Sequence, residues 1–409
     1  MKPTWWKTLA AFALGAALIP SAASARIKLI TLPPRERVEI QLDNPNATLV
    51  EEERVVPLVK GVNQVDFSWA NTRIDPNTIV FRVIGPADGK QLDVKVLSVS
   101  YPPNEAALVW QVSSSDSGSA KVRISYLLGN LTKSFNYRAV ASNDEKTLTL
   151  YEYMRIQNWA NEEFLATADP LKGANIFAGY GRFFMRPIGL NETKEMLVEK
   201  FSAVPVKKTY TCNPAAFDYL DRAQFKLRVP MHYVIKNDKA SNLGKTPLPY
   251  GKARIFIEPK NANDPNASTT FLGEDWGKFT PMDDEMKLYL GVAQDIVVKR
   301  TLEKNERQRV AGNLYNQEVI VKYEIENFKD QPVTLDVAES IPYIRNEVIG
   351  NTGRDVQWEL GKETTLGALD KEHSTYTDVM FHVALPARDK SGKAEKIVKK
   401  LQITIKNEW

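Results

Sequence analysis

Apolar and polar residues alternate at a spacing of two along most of this chain. Leu108, Trp110 and Val112 fall on one side of an extended segment, with Val109, Gln111 and Ser113 on the other. Val122, Ile124 and Tyr126 alternate in the same way with Lys121, Arg123 and Ser125. Successive strand side chains point to opposite faces, so each run predicts a strand with one buried and one wet face. The cleanest case sets Val319, Val321, Tyr323 and Ile325 inward, with Glu318, Ile320, Lys322, Glu324 and Glu326 mostly outward. Residues 327–332, ending in Pro332, then turn the chain, and Val333, Leu335 and Val337 open a second half-buried strand. That strand, turn, strand unit predicts one antiparallel sheet.

Helix signals are sparse. Residues 159–167 and 283–291 have room for a turn or two, but neither sustains a 3.6-residue period. Without alternating helices a parallel α/β sheet is disfavoured, and short strands punctuated by Pro, Gly and Asn predict an all-β fold of tandem antiparallel Ig-like sandwiches. The run Tyr101-Pro102-Pro103-Asn104 and the polar stretch 237–248 suggest boundaries. The expected organisation is a leader at 1–25, then β modules at 26–103, 104–240 and 241–409.

The leader is read from three features in order. Lys2 and Lys7 give a positive start, residues 8–19 form a short apolar run, and Ala23-Ser24-Ala25 offers a small-x-small cleavage site before Arg26. A 12-residue run is shorter than the roughly 20 residues a membrane-spanning helix needs. The expectation is therefore export by a signal peptide cleaved after Ala25, to the periplasm or beyond, with no transmembrane segment in the mature chain.

Charge and cysteine narrow the class. The net charge of +4 falls to +2 once Lys2 and Lys7 leave, 52 basic against 50 acidic residues spread along the chain. Such balance speaks against a nucleic-acid groove. Cys212 is the chain's one cysteine, so no internal disulfide is possible. A buried structural thiol is the expected role, since a reactive one needs a base or positive field beside it.

Catalytic motifs are missing. His232, His373 and His382 are too far apart in sequence to form a local zinc motif, and no nucleophile elbow, phosphate-binding glycine loop or Cys-x-x-Cys occurs. His232 and His382 sit in strands, each pointing away from its apolar neighbours. The polar loop at 261–268 lacks the spacing of an EF-type calcium site. No metal or cofactor is expected.

The remaining candidates are Glu274, Asp275 and Trp276, a second acidic set at Asp283, Asp284 and Glu285, and Trp159. Paired carboxylates can hydrolyse glycosides, and exposed tryptophans can present a flat platform to a sugar ring or peptide. Neighbouring acids in one loop more commonly form a solvated turn, and most of the 39 aromatic residues belong in a core.

A set of ordered segments resembles a known family. It comprises Leu248-Pro249-Tyr250-Gly251-Lys252-Ala253-Arg254-Ile255-Phe256, Phe271-Leu272-Gly273-Glu274-Asp275, Leu288-Tyr289-Leu290-Gly291, Asp295-Ile296-Val297-Val298-Lys299-Arg300, and the unit from Tyr323 to Ser340-Ile341-Pro342. Together these resemble the C-terminal domain of unknown function in mucoidy-inhibitor-A-like bacterial proteins. Gly61-Val62-Asn63-Gln64-Val65 and Val204-Pro205-Val206-Lys207-Lys208-Thr209-Tyr210 extend the likeness upstream. The heptad run of a coiled-coil insertion found in better-known relatives is missing here. The resemblance implies a β-rich exported protein and carries no catalytic residue with it. A non-enzymatic cell-envelope protein that binds a partner protein or polysaccharide is the expected function. The alternative is a carbohydrate- or peptide-active hydrolase using loop carboxylates.

Overall fold

The computed structural model describes residues 28–409 apart from 45, 90, 165–173, 260, 262–266, 352 and 354. The expected leader and most of the 261–268 loop lie outside the described residues. About 59% of the chain is strand and 4% helix, so the fold is all-β. Among the described residues the strands form five sheets in a sandwich-like arrangement.

Two sheets enclose the first core. One orders Lys28–Thr31, Gly61–Ser68, Ala107–Ser114 and Val94–Ser100; the other orders Phe183–Arg186, Ala174–Phe177, Arg37–Gln41, Thr48–Leu58, Gly118–Leu128 and Val80–Pro86. Leu108, Trp110, Val112, Val122, Ile124 and Tyr126 all point into this core, as their alternation requires.

The central sheet orders Thr193–Pro205, Thr147–Asn158, Leu131–Ala141, Gly251–Ile257 and Thr270–Gly277. One end of its hidden face, with Phe135, Met154 and Ile156, extends the first core, while Tyr137, Ala139 and Leu150 join another core further along. Gly251–Ile257 runs parallel to Leu131–Ala141. That pairing depends on Gly251, because a Cβ there would collide with the Phe135 carbonyl. Tyr137 donates its hydroxyl to Pro249 O at 2.7 Å and fixes the approach.

The fourth sheet orders Glu285–Val292, Pro230–Lys236, Lys207–Cys212, Val333–Ser340 and Asp378–Leu385. It is called the groove sheet below. Its hidden face divides between two cores. Tyr233, Ile235, Met286 and Leu288 pack with the central sheet, whereas Tyr210, Cys212, Leu335, Val337 and Phe381 pack against the fifth sheet. The fifth orders Tyr219–Asp221, Lys226–Leu227, Ile296–Ala311, Leu314–Asn327, Lys396–Glu408 and Gln357–Leu360.

Two local readings are corrected. Residues 283–291 form no helix, because Met286 and Leu288 are buried alternately with exposed Glu285, Lys287 and Tyr289 in an edge strand. Leu314–Asn327 and Val333–Ser340 each bury the face the pattern assigned, with Glu318 and Ile320 of the other face buried as well, yet they do not pair with each other: the turn carries the chain from the fifth sheet across to the groove sheet. Asn327 stabilises that crossover, its amide donating to Gln331 O at 3.1 Å and Pro386 O at 2.8 Å. The described α-helix, Ile341–Val348, starts with Pro342 in its first turn. Arg345 locks it to the last strand through a bidentate pair with Glu408, both contacts at 2.7 Å.

The sequence boundaries at 103/104 and 240/241 fall in the turn between Val94–Ser100 and Ala107–Ser114, which pair, and in the short 3-10 turn Lys239–Ser241. Sheets cross both positions. Thr48–Leu58 pairs with Gly118–Leu128, and Leu131–Ala141 pairs with Gly251–Ile257.

Candidate functional site

Lys207–Cys212 runs through the middle of the groove sheet, and alternation assigns its residues to two environments. Tyr210 and Cys212 are buried, so Lys207, Thr209 and Thr211 stand on the opposite, solvent-facing side. Register then fixes their neighbours. Thr209 lies opposite His232, and Thr211 lies beside Asp336, which lies opposite His382.

This face is concave. One cavity of about 390 Å³ is lined by Lys207, Thr209, Thr334, Asp336 and His382, with Asp144 and Glu145 reaching in from the central sheet's turn. A second, of about 230 Å³, shares Lys207, Thr209, Asp336 and His382 and adds Thr211, His232 and His373. Together they make one groove that collects all three histidines of the chain.

The histidines have unlike environments. His382 places Nδ1 2.7 Å from Asp336 Oδ1 and Nε2 2.8 Å from Asp370 Oδ2. Ionised carboxylates only accept hydrogen bonds, so both contacts form together only when the ring carries both protons. The Asp336 hydrogen bond, then that to Asp370, raises the His382 pKa above its ordinary 6.5. His373 Nδ1 lies 2.7 Å from the same Asp370 oxygen. Hydrogen bonds from His373 and His382 hold the Asp370 carboxyl well below its usual range. The chain Asp336–His382–Asp370–His373 therefore fastens the loop before Asp378–Leu385 onto the sheet.

On the far flank His232 rests against Tyr289, ring centroids 5.5 Å apart. Burial lowers its pKa, with Asp275 opposing the shift. Three strand spacings separate the strands of His232 and His382, about 14 Å at roughly 4.8 Å per step. No single reacting atom can touch both rings. Neither of His382's nitrogens is free to act as a base, and among the described residues no group of three or more His, Cys, Asp or Glu side chains is placed to hold a metal ion.

The groove also holds polar groups without partners. Among the described residues Lys207 makes no ion pair with the carboxylates that share its cavities, and the hydroxyls of Thr209, Thr211 and Thr334 make no hydrogen bond. Such groups, in a space of small-molecule size, suit a neutral, hydroxyl-rich ligand.

The residues singled out in the sequence lie elsewhere. Glu274, Asp275 and Trp276 belong to the strand Thr270–Gly277 at the edge of the central sheet, and neither they nor Trp159 line any described cavity. Trp276 is half exposed and stacks on Tyr250, centroids 5.1 Å apart and planes within 4°. Glu274 pairs with Lys252 at 2.8 Å, which keeps its pKa down. A carboxylate held ionised in this way is unsuited to act as a catalytic acid. Asp275 turns to the hidden face and accepts the backbone N–H of Tyr289 at 2.7 Å, joining the central sheet to the groove sheet. Trp159, also half exposed, follows Thr147–Asn158, near Leu131. Trp276 lies three strands over from the strand that Trp159 follows and, counted from Leu131, five residues along, so the two tryptophans cannot form one platform. Cys212 is fully buried, and burial raises its thiol pKa.

Sequence reasoning missed Lys207, Thr209, Thr211, Asp336 and Asp370 as a group. The available signal was polar residues at alternate positions of strands whose other positions are apolar, as in Leu335-Asp336-Val337 and Phe381-His382-Val383. Among the described residues no helix is long and apolar enough to cross a membrane. A scan of family models and a search of curated proteins return no match for this chain.

Proposed function

We propose that this chain is an exported cell-envelope protein that binds a polysaccharide segment in the groove of its fourth sheet without turning it over. One observation carries the reading: a concave polar face presents unpaired hydroxyls and an amine, while its histidines are fixed or isolated. The leader read from residues 1–25 and the resemblance to mucoidy-inhibitor-A-like proteins support the compartment. Glu274 and Asp275, two of the carboxylates offered for a hydrolase, lie in a strand and are tied to Lys252 and to the Tyr289 backbone.

The test is calorimetric titration of the protein with fragments of envelope polysaccharide, alongside a turnover assay on the same fragments. Thr209→Trp fills the groove and is expected to weaken binding at least tenfold, about 1.4 kcal/mol, with no product formed by either protein. Turnover abolished by mutating Glu274 would replace this reading with the hydrolase.

A further inference from the structure

A separate cavity of about 340 Å³ opens between the helix Ile341–Val348 and the turn joining Tyr219–Asp221 to Lys226–Leu227. Its walls are Tyr219, Phe225 and Tyr343, and the other lining residues are Arg222, Asn346 and Glu347. It shares no residue with the groove, so it stands or falls independently of the polysaccharide reading.

Three observations say what fits there. The first is aromatic: Tyr343 and Glu347 are four residues apart on one face of the helix, opposite the two rings from the turn. The second is charge. Glu347 accepts from Arg300 at 3.0 and 2.7 Å, but Arg300 also serves Glu339 at 2.6 Å, so two carboxylates share one guanidinium. Aromatic side chains beside a carboxylate attract cations. The third is that the chain already places cations against two of the walls: the Arg300 guanidinium sits 5.8 Å from the Tyr343 ring centroid, and the Arg222 guanidinium, which has no carboxylate partner among the described residues, sits 5.2 Å from that of Tyr219.

Backbone geometry adds to this. Phe225 has φ 56°, a left-handed conformation that bulky residues avoid, and its side chain is half exposed. The turn holds it there, with the Phe225 carbonyl accepting from Arg300 N at 3.1 Å. Glycine would fit that backbone better, so the ring is kept at a conformational cost.

We infer that this cavity is an aromatic cage for an organic cation, an alkylammonium or guanidinium group, for which Arg222 is the resident stand-in. A free small cation and a cationic side chain of another molecule share this chemistry, and the probes separate them.

The experiment titrates the full chain with tetramethylammonium, with its neutral isostere tert-butyl alcohol, and with a short arginine-containing peptide. Tetramethylammonium is expected to bind and the alcohol not to. Phe225→Gly and Tyr343→Leu should each weaken binding about fivefold to tenfold, the range of one cation–π wall. Phe225→Gly relieves the left-handed strain, so its melting temperature should not drop. Arg222→Ala removes the competitor and should tighten binding several-fold, which a purely structural arginine would not do. Preference for the peptide over tetramethylammonium would assign the cage to a side chain of a partner, and the reverse to a free cation. Equal binding of the alcohol, or no effect of Arg222→Ala and Tyr343→Leu, would overturn the inference.

Discussion

On the outer face of the central sheet, charges find partners in the next strand: Lys252 with Glu274, and Arg155 with Glu195 at 2.9 Å. Aromatic rings do likewise, as Tyr250 stacks on Trp276 and Lys200 covers Tyr151. On the groove sheet, Lys207 and three threonine hydroxyls have no such partners among the described residues, and the fixed charges belong to a histidine–aspartate chain recruited from a distant loop. A face that satisfies its own polar groups has little left to offer a ligand. One that leaves them open in a hollow does, because the ligand then supplies hydrogen bonds that only water made before.

The hidden faces of the same two sheets are alike, which gives the strongest test. Each buries an arginine–glutamate pair: Arg182 with Glu152 at 2.6 and 2.9 Å, and Arg300 with Glu339 at 2.6 Å. Removing one partner leaves a charge buried without compensation, at about 3–5 kcal/mol. Arg182→Met and Arg300→Met should therefore both lower unfolding free energy by this amount in chemical denaturation. A loss below about 1 kcal/mol in either would mean that water reaches that site, and the likeness of the two undersides would fail.

Asp275 and Glu274 sharpen the contrast next, since adjacent acids on one strand serve opposite sides of the sheet. Asp275→Ala removes the acceptor for the Tyr289 amide that joins two sheets, and should cost about 1 kcal/mol. Glu274→Ala breaks only surface pairs, with Lys252 and Arg254, and should leave the denaturation midpoint where it was. Equal effects would show that the Asp275 contact does not hold the edges together.

Much of this was legible because it is local. Val319 to Ile325 states its buried face in seven residues, and so do 108–112 and 122–126, since side-chain alternation needs no knowledge of the partner strand. The groove was not legible, for its central strand Lys207–Cys212 meets Val333–Ser340 only after a long excursion of the chain. His232 and His382 were rightly placed on strands, facing away from their apolar neighbours, but nothing in their spacing says that they share a hollow. The helix Ile341–Val348 escaped notice because eight residues are too few to show a 3.6-residue period.

The two groove histidines should separate on titration by NMR. His382, raised by its aspartates, is expected above 6.5, and His232, lowered by burial, below it. The sign for stability follows from His382. With its folded value above the unfolded one, its contribution is complete below pH 6.5 and is lost as pH rises through the folded value. Asp370 acts at the other end, since its depressed value gives stability that fades as pH falls through the carboxylate range. Amide protection in the loop around Asp370, after division by the intrinsic pH dependence of exchange, should thus be greatest in mildly acidic solution. Histidines that titrate together would remove the distinction between a fixed and an isolated ring.

The smallest effect bears on whether the central face is as closed as it looks. Stacked aromatic pairs contribute about 0.5–1.5 kcal/mol beyond burial, and exposure puts Tyr250 and Trp276 at the low end. A double-mutant cycle of Tyr250→Ala and Trp276→Ala should give a coupling near 0.5 kcal/mol, with polysaccharide affinity unchanged in all three variants. A coupling of zero would mean that the rings part in solution and that each presents a free face. Trp276 would then be open to a ligand after all, and the contrast between a satisfied sheet and an unsatisfied groove would lose its simplest example.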